Sequence, residues 1–144
     1  MRTNQTPLIS PLLLSLLAVL GIGLAGCDAI EDVPATSNDV SGRYESTVFE
    51  ADVDGRTVDV LAAGGALTIT LREGGTVSGR LFVPEALAGS EEGDLPFEGT
   101  FSVSGDNVRF DHEADTFVRD AVWAYSDGEL RTSSGETTVI LERE

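Results

Sequence analysis

The sequence has no lysine, and its 144 residues include only one cysteine, one histidine, one tryptophan and one methionine. A single cysteine excludes a framework of intramolecular disulfide bonds. The shortage of histidine and cysteine also leaves few side chains that titrate near neutral pH, where general acid–base catalysis operates. No phosphate-binding motif is present, because the glycine pairs 64–65 and 74–75 are not followed by the lysine of a phosphate loop. We therefore predict a protein that is not an enzyme and that holds no cofactor.

Positive charge is scarce throughout the chain. Twenty-five acidic residues stand against nine basic ones, all arginine, for a formal net charge of −16. Such a chain is repelled by phosphate backbones and by anionic lipid headgroups, so we predict no nucleic-acid partner. Its length corresponds to one domain at roughly 100–200 residues per domain.

The N-terminal segment is the longest apolar stretch. Arg2 is the only charged residue before position 28, and the dense apolar part runs from Leu12 to Leu24. This part is shorter than the roughly 20 residues that cross a bilayer as a helix, and it suits the apolar region of an export signal. A retained anchor helix over Leu8–Gly26 is the alternative.

The export segment ends in Leu24-Ala25-Gly26-Cys27, which resembles the lipobox of bacterial lipoproteins. The resemblance implies signal cleavage between Gly26 and Cys27 and attachment of diacylglycerol to the Cys27 thiol. Lipidation also explains a lone cysteine in an exported chain. We therefore predict a signal peptide over 1–26, a lipidated cysteine with a flexible acidic tether over 27–40, and a folded domain over 41–144. The predicted location is the bacterial cell envelope, at the outer membrane or the periplasmic face of the inner membrane.

From Ser41 onward the sequence has the periodicity of β-strands. Polarity alternates most clearly where Leu67, Ile69 and Leu71 point one way and polar residues the other. Turn signals such as Asp54-Gly55 recur about every 8–12 residues. Residues 84–96 combine prolines, glycines and acids, so we predict a long loop there with a helical turn near Ala86.

Among the later segments, Phe117–Tyr125 is predicted as a strand. Strands joined by tight turns usually pair with their neighbours in sequence, and closing such a meander removes exposed edges. The predicted fold class is all-β, a small antiparallel up-and-down barrel of eight or nine strands preceded by a signal helix. An open β-sandwich is the alternative.

A second resemblance lies at the start of the first strand. Gly42-Arg43-Tyr44 is similar to the Gly-x-Trp that opens lipocalins and lipocalin-like bacterial lipoproteins, with tyrosine in place of tryptophan. The resemblance implies a basic residue near the end of the barrel, and both Arg131 and Arg143 could correspond to it.

The interior of an eight-stranded barrel is either filled by side chains or just wide enough for one small ligand. We predict a lipid-anchored, non-catalytic protein whose barrel binds a small apolar ligand or serves as an envelope binding module. The alternative is a structural or assembly subunit with a filled barrel that acts through protein–protein contacts. The predicted partners are the membrane, through acyl chains on Cys27, and a small apolar ligand or an envelope protein. The side chains predicted to line a cavity are Tyr44, Leu67, Ile69, Leu71, Phe97, Phe101 and Trp123.

One acidic run contains the single histidine. Asp111, His112, Glu113 and Asp115 could offer oxygen and nitrogen ligands to a divalent cation. Zinc sites are usually built from several cysteines and histidines, whereas a histidine among acids between two strands is more typical of a solvated turn. We therefore predict no metal site, with these four residues as the nearest candidates.

Overall fold

The computed structural model of the chain describes residues 35–88 and 93–144. Within these ranges it contains three helices of four residues each, α1 (Ser37–Val40), α2 (Glu85–Ala88) and α3 (Phe117–Asp120). It also contains nine strands, which are β1 (Gly42–Val53), β2 (Arg56–Asp59), β3 (Ala66–Arg72), β4 (Thr76–Val83), β5 (Gly93–Ser104), β6 (Asn107–His112), β7 (Trp123–Ser126), β8 (Glu129–Ser134) and β9 (Thr137–Arg143).

The strands form one antiparallel sheet that closes on itself. Neighbours in sequence pair from β3 to β9, and β1 pairs with both β3 and β9, which closes an eight-stranded barrel. The additional strand β2 pairs with the end of β1, from Glu50 opposite Asp59 to Val53 opposite Arg56. The prediction of an all-β antiparallel barrel is therefore confirmed.

A β-bulge in β1 changes which side chains face inward. The register of β1 against β9 shifts between Ser46 and Val48. Tyr44 and Ser46 are buried before the bulge, and Phe49 is buried after it. One extra residue in a strand moves all following side chains to the other face, so the bulge keeps the apolar face of β1 inside along its length.

Two of the tight turns use the backbone conformation that their residues favour. Asp54 and Gly55 have φ values of 53° and 75°, and Asp127 and Gly128 have values of 51° and 83°. Two-residue hairpin turns with positive φ at both positions match the twist of the flanking strands. The Asp54-Gly55 turn predicted from the sequence is confirmed.

Two segments differ from the sequence prediction. The predicted loop over residues 84–96 ends earlier, because β5 begins at Gly93 and Pro96 lies within it. Pro96 is compatible with a strand there, since that part of β5 pairs with β4 alone among the described residues. The predicted strand over Phe117–Tyr125 is wrong in its first part, where α3 forms, and β7 begins only at Trp123. The predicted helical turn near Ala86 is confirmed as α2.

The short helix α1 precedes β1 and belongs to the barrel. Thr36 and Asp39 form a capping box, in which each side chain bonds the other residue's backbone N–H. Val40 is fully buried in the core. Residues 36–40, which the sequence assigned to the tether, are therefore part of the packed domain. We call the end of the barrel at which β1 begins the α1 end, and the opposite end the α3 end.

Candidate functional site

The barrel interior gathers the seven side chains predicted to line a cavity into one apolar core. Their exposed fractions range from 0% for Tyr44, Leu67, Ile69 and Trp123 to 7% for Phe101. Leu71 and Phe97 lie within that range. Residues from other strands complete the core, which includes Val77, Leu81, Val108, Phe110, Leu130, Val139 and Leu141.

The core is filled around these residues. A cavity that can hold a water molecule leaves solvent-accessible surface on the side chains that border it, because such a cavity has at least the volume of roughly one water-sized sphere. Trp123 and Tyr44 are the largest side chains with no such surface, and Leu67 and Ile69 have none either. These four side chains therefore border no space large enough for a water molecule.

A pair of glycines makes room for an aromatic stack inside the wall. Gly79 of β4 faces Phe97 of β5, and Gly99 of β5 faces His112 of β6. A Cβ atom on Gly79 would lie 2.3 Å from the Phe97 ring, and one on Gly99 would lie 2.0 Å from the backbone oxygen of Asp111. Because both positions are glycine, the rings of Phe97 and His112 stack with their centroids 4.6 Å apart.

The α1 end is closed by a guanidinium between two phenols. Arg143 at the end of β9 donates from Nη2 to the hydroxyl oxygens of Tyr44 and Tyr125, each at 2.9 Å. The same Nη2 group, whose two hydrogens are shared among its acceptors, also donates to the backbone oxygen of Asp39 in α1. Its Cζ lies 5.5 Å from the Tyr44 ring centroid and 5.7 Å from that of Tyr125, within the range of cation–π attraction. Arg143 therefore joins β1, β7, β9 and α1.

The two phenols extend this network to the backbone of α1. Tyr44 donates from its hydroxyl to the backbone oxygen of Val40 at 2.6 Å, and Tyr125 donates to that of Asp39 at 2.9 Å. Burial raises the pKa of Tyr44, and the hydrogen bond from Arg143 opposes this rise. Tyr44 is therefore a neutral donor at physiological pH. The hydrogen bonds from Thr36 lower the pKa of Asp39.

The structure distinguishes the two basic residues that the sequence left open. Arg143 lies on the same side of β9 as the buried Val139 and Leu141, and its side chain donates a hydrogen bond to the Tyr44 hydroxyl. Arg131 lies on the outward face of β8 and pairs with Glu129.

The α3 end is closed across a gap between β6 and β7. These strands pair only at Asn107 with Ala124 and at Val108 with Trp123. Beyond these pairs α3 fills the gap, where Val118 is fully buried and Ala121 is 3% exposed. Trp123 donates from Nε1 to the backbone oxygen of Val118 at 3.3 Å, which ties α3 to the start of β7.

The four metal candidates are not brought together. His112 is the last residue of β6, points into the core and is 5% exposed, whereas Asp111 is exposed on the other face of the strand. Glu113 is exposed, and Asp115 pairs with Arg119 of α3 at 2.9 Å. In residues 35–88 and 93–144 no three histidine, cysteine or acidic side chains lie close enough to hold a metal ion. The burial of His112 was missed from the sequence, although the alternation of Val108, Phe110 and His112 signals it.

Open grooves border the α1 end in the part of the chain that the structure describes. One of about 370 Å³ runs beside α1 and the turn between β3 and β4, and one of about 520 Å³ lies beside the Arg143 cluster. The second groove is lined by three acids, Asp127, Glu129 and Glu142, together with Tyr125, Gly128 and Arg143. An acidic, solvent-open lining of this kind disfavours apolar and anionic ligands.

The residues of the predicted lipobox, Leu24 to Cys27, lie outside the described residues. Among the residues that are described, no helix has the length and apolar character needed to cross a membrane. Comparisons with models of known families, with curated proteins and with solved structures found no match to this chain.

Proposed function

We propose that the chain is a lipid-anchored protein of the bacterial cell envelope whose filled barrel acts as a non-catalytic module through protein–protein contacts. The observation that carries the second part is the interior: its largest side chains, Trp123 and Tyr44, are fully buried, and the short helices α1 and α3 each contribute a fully buried valine to the core. A barrel with a filled interior presents only its outer surface and its ends to other molecules.

The anchor part of the proposal rests on the sequence Leu24-Ala25-Gly26-Cys27. Two or more acyl chains on Cys27 would make membrane attachment stable, since each buried methylene contributes about 0.8 kcal/mol. The tether would connect the lipidated Cys27 to α1, so the α1 end would face the bilayer. At roughly 3.3–3.6 Å per residue, the nine residue steps from Cys27 to Thr36 would allow a separation of at most about 32 Å.

We further propose that the barrel is lipocalin-like. Support comes from the start of β1, where Tyr44 follows Gly42 by two residues and the Arg143 guanidinium lies over the Tyr44 ring. A Cβ atom at position 42 would lie 3.0 Å from Nε of Arg143, so glycine there gives the arginine side chain room against the backbone.

Metabolic labelling with a fatty acid in a bacterial host tests the anchor. We expect the native chain to take up the label and the Cys27→Ser variant to remain an unlabelled, uncleaved precursor. Ser10→Ala, which changes the leader outside the lipobox, is the matched control and should still be labelled. Label that persists in Cys27→Ser would contradict lipidation at this residue.

A small apolar probe tests whether the interior is filled. We expect benzene to leave the melting temperature of the full-length native protein unchanged. Leu67→Ala removes a fully buried side chain and should leave an apolar cavity, so benzene should raise the melting temperature of that variant. Saturable stabilisation of the native protein by benzene would instead favour a ligand-binding barrel.

A further inference from the structure

The α3 end concentrates buried polar atoms without partners. Nδ1 and Nε2 of His112 and Oγ1 of Thr116 are buried and make no hydrogen bond in the described part of the chain. Both residues are more than nine-tenths buried. Thr116 is the N-cap residue of α3, yet its side chain makes no capping hydrogen bond. Buried polar groups are nearly always satisfied in native proteins, so a pair of exceptions in one segment calls for a reason.

His112 stands where the chain leaves the barrel wall. It ends β6, and the next ten residues, 113–122, form the segment that crosses the gap and contains α3. The segment is rejoined to the barrel at Val122, whose backbone oxygen accepts a hydrogen bond from Thr132 of β8 at 2.9 Å. His112 and Val122 are thus the two ends of a short closing segment, and only two residue pairs join the strands on either side of it.

The surroundings of His112 accept a neutral imidazole and disfavour a charged one. On the β5 side the ring meets Phe97 and Gly99, which carry no charge. The charged groups that act on it are Arg119 and Asp120 of α3 and Asp111 of β6. Burial lowers the pKa of His112 and the Arg119 guanidinium lowers it further, while the backbone of Ala114 and the carboxylates of Asp111 and Asp120 oppose these effects.

We propose that His112 is an acid-sensitive latch that keeps the 113–122 segment closed over the gap between β6 and β7. The neutral ring is packed against Phe97, and neither of its nitrogens makes a hydrogen bond in the described part of the chain, whereas a protonated ring requires two acceptors and only the Ala114 backbone is close enough to act on it. Protonation therefore expels the ring toward solvent and toward Asp111, which is exposed. Because the 113–122 segment begins directly after His112, displacement of the His112 ring releases the segment and the α3 helix within it.

The sign of the pH dependence follows from the two states. The imidazole in the open segment titrates near its ordinary value of about 6.5, and the packed imidazole titrates lower. The open state therefore binds more protons than the closed state between these two values. Its population rises by up to about tenfold for each pH unit below about 6.5, until the pKa of the packed ring is reached.

Opening would change local contacts that can be measured. The Trp123 indole would lose its hydrogen bond to Val118, and the ring of Phe117 would leave that of Phe49, from which its centroid is 5.7 Å away. The remaining barrel pairs would persist, because β1, β3, β4 and β5 are joined to one another by four to eight residue pairs each.

Amide hydrogen exchange of the full-length protein between pH 7.5 and 5 tests the proposal. After correction for the intrinsic exchange rate, we expect exchange of residues 117–121 to accelerate by up to about tenfold per pH unit below 6.5, while β3 and β4 stay protected. His112→Phe keeps an aromatic ring against Phe97 and cannot be protonated, so its exchange at 117–121 should not depend on pH in this range. His112→Gln serves as a second non-titrating variant if the phenylalanine variant does not fold.

Arg119→Gln provides an independent charge control, because removing the guanidinium raises the pKa of the packed imidazole, so the acceleration should still begin below about pH 6.5 but level off at a higher pH and reach a smaller total than in the native protein. Three results would overturn the proposal. One is equal acceleration in the native protein and in the non-titrating variant. The second is acceleration of β3 and β4 together with residues 117–121, which would show global unfolding. The third is protonation of His112, followed by NMR, without any change in exchange at α3.

Discussion

Arg143 offers the sharpest test of how the α1 end is held together. Replacing it with alanine removes the donors to two phenols and to the backbone oxygen of Asp39, and it removes a cation from between two aromatic rings. The three acceptors share the two hydrogens of one exposed Nη2 group, so we count about two hydrogen bonds at the ordinary net contribution of about 0.5–1 kcal/mol each. Each of the two exposed cation–π contacts adds about 0.5 kcal/mol. We therefore expect Arg143→Ala to lower the free energy of unfolding by about 2–3 kcal/mol.

The matched control is Arg131→Ala on the neighbouring strand. Arg131 pairs with Glu129 on the outer face, and an exposed ion pair typically contributes about 0–1 kcal/mol. The two variants remove the same side chain from a protein that is already strongly acidic, so a difference between them measures the local contacts and not the change in net charge.

Urea unfolding of the full-length protein followed by Trp123 fluorescence gives both values. With a denaturant dependence of about 1–3 kcal/mol per molar urea, the midpoint of Arg143→Ala should fall by about 1–2 M. Sodium chloride should reduce the effect of Arg131→Ala and leave that of Arg143→Ala nearly unchanged, because the partners of Arg143 are uncharged. Equal effects of the two substitutions would refute the assignment of a closing role to Arg143.

Three further predictions concern stability. Gly99→Ala should lower the free energy of unfolding by about 1–3 kcal/mol, because its Cβ would meet the backbone of β6, whereas Gly74→Ala has open space around it and should be nearly neutral in the same urea assay. Glu142→Gln should raise the free energy of unfolding by about 0.2–1 kcal/mol at low salt, because Glu142 lies directly opposite glutamates of both β1 and β8, and the gain should shrink as salt is added. Asp39→Asn should make the free energy of unfolding less sensitive to acid. The pKa of the Asp39 carboxyl is lowered in the folded protein, so the stabilisation that this carboxylate gives is present above about pH 3.8 and is lost as the pH falls through the folded-state pKa. Equal acid profiles for the variant and the native protein would contradict this.

The strands that could be predicted are those whose local pattern agrees with the final fold. Leu67, Ile69 and Leu71 alternate in β3 and are all buried on its inner face. The Asp54-Gly55 turn is local chemistry, since both residues tolerate positive φ. The same alternation also distinguishes the two arginines. Arg143 lies two residues after the buried Leu141 and therefore on the inner side of β9, whereas Arg131 lies on the outer face of β8.

The helix α3 could not be predicted from the sequence, and the reason is physical. Its four residues are too few to show a helical period, and they are followed directly by the apolar start of β7. What selects the helix is the gap between β6 and β7, which Val118 fills as a fully buried side chain. That gap exists only after the barrel has closed, so tertiary packing overrides the local β propensity of this segment.

The two barrel ends differ in how their polar groups are satisfied, and this difference links the fold to the proposed function. At the α1 end the phenols of Tyr44 and Tyr125 and the guanidinium of Arg143 all have partners, so this end is expected to be stiff. At the α3 end the side-chain polar atoms of His112 and Thr116 are buried and make no hydrogen bond within residues 35–88 and 93–144. A module attached to a membrane at its stiff end would present its adaptable end to other proteins. Because local opening takes place where local stability is lowest, a partner that binds the released 113–122 segment would shift the barrel toward the open state, and acid would strengthen that partner's binding.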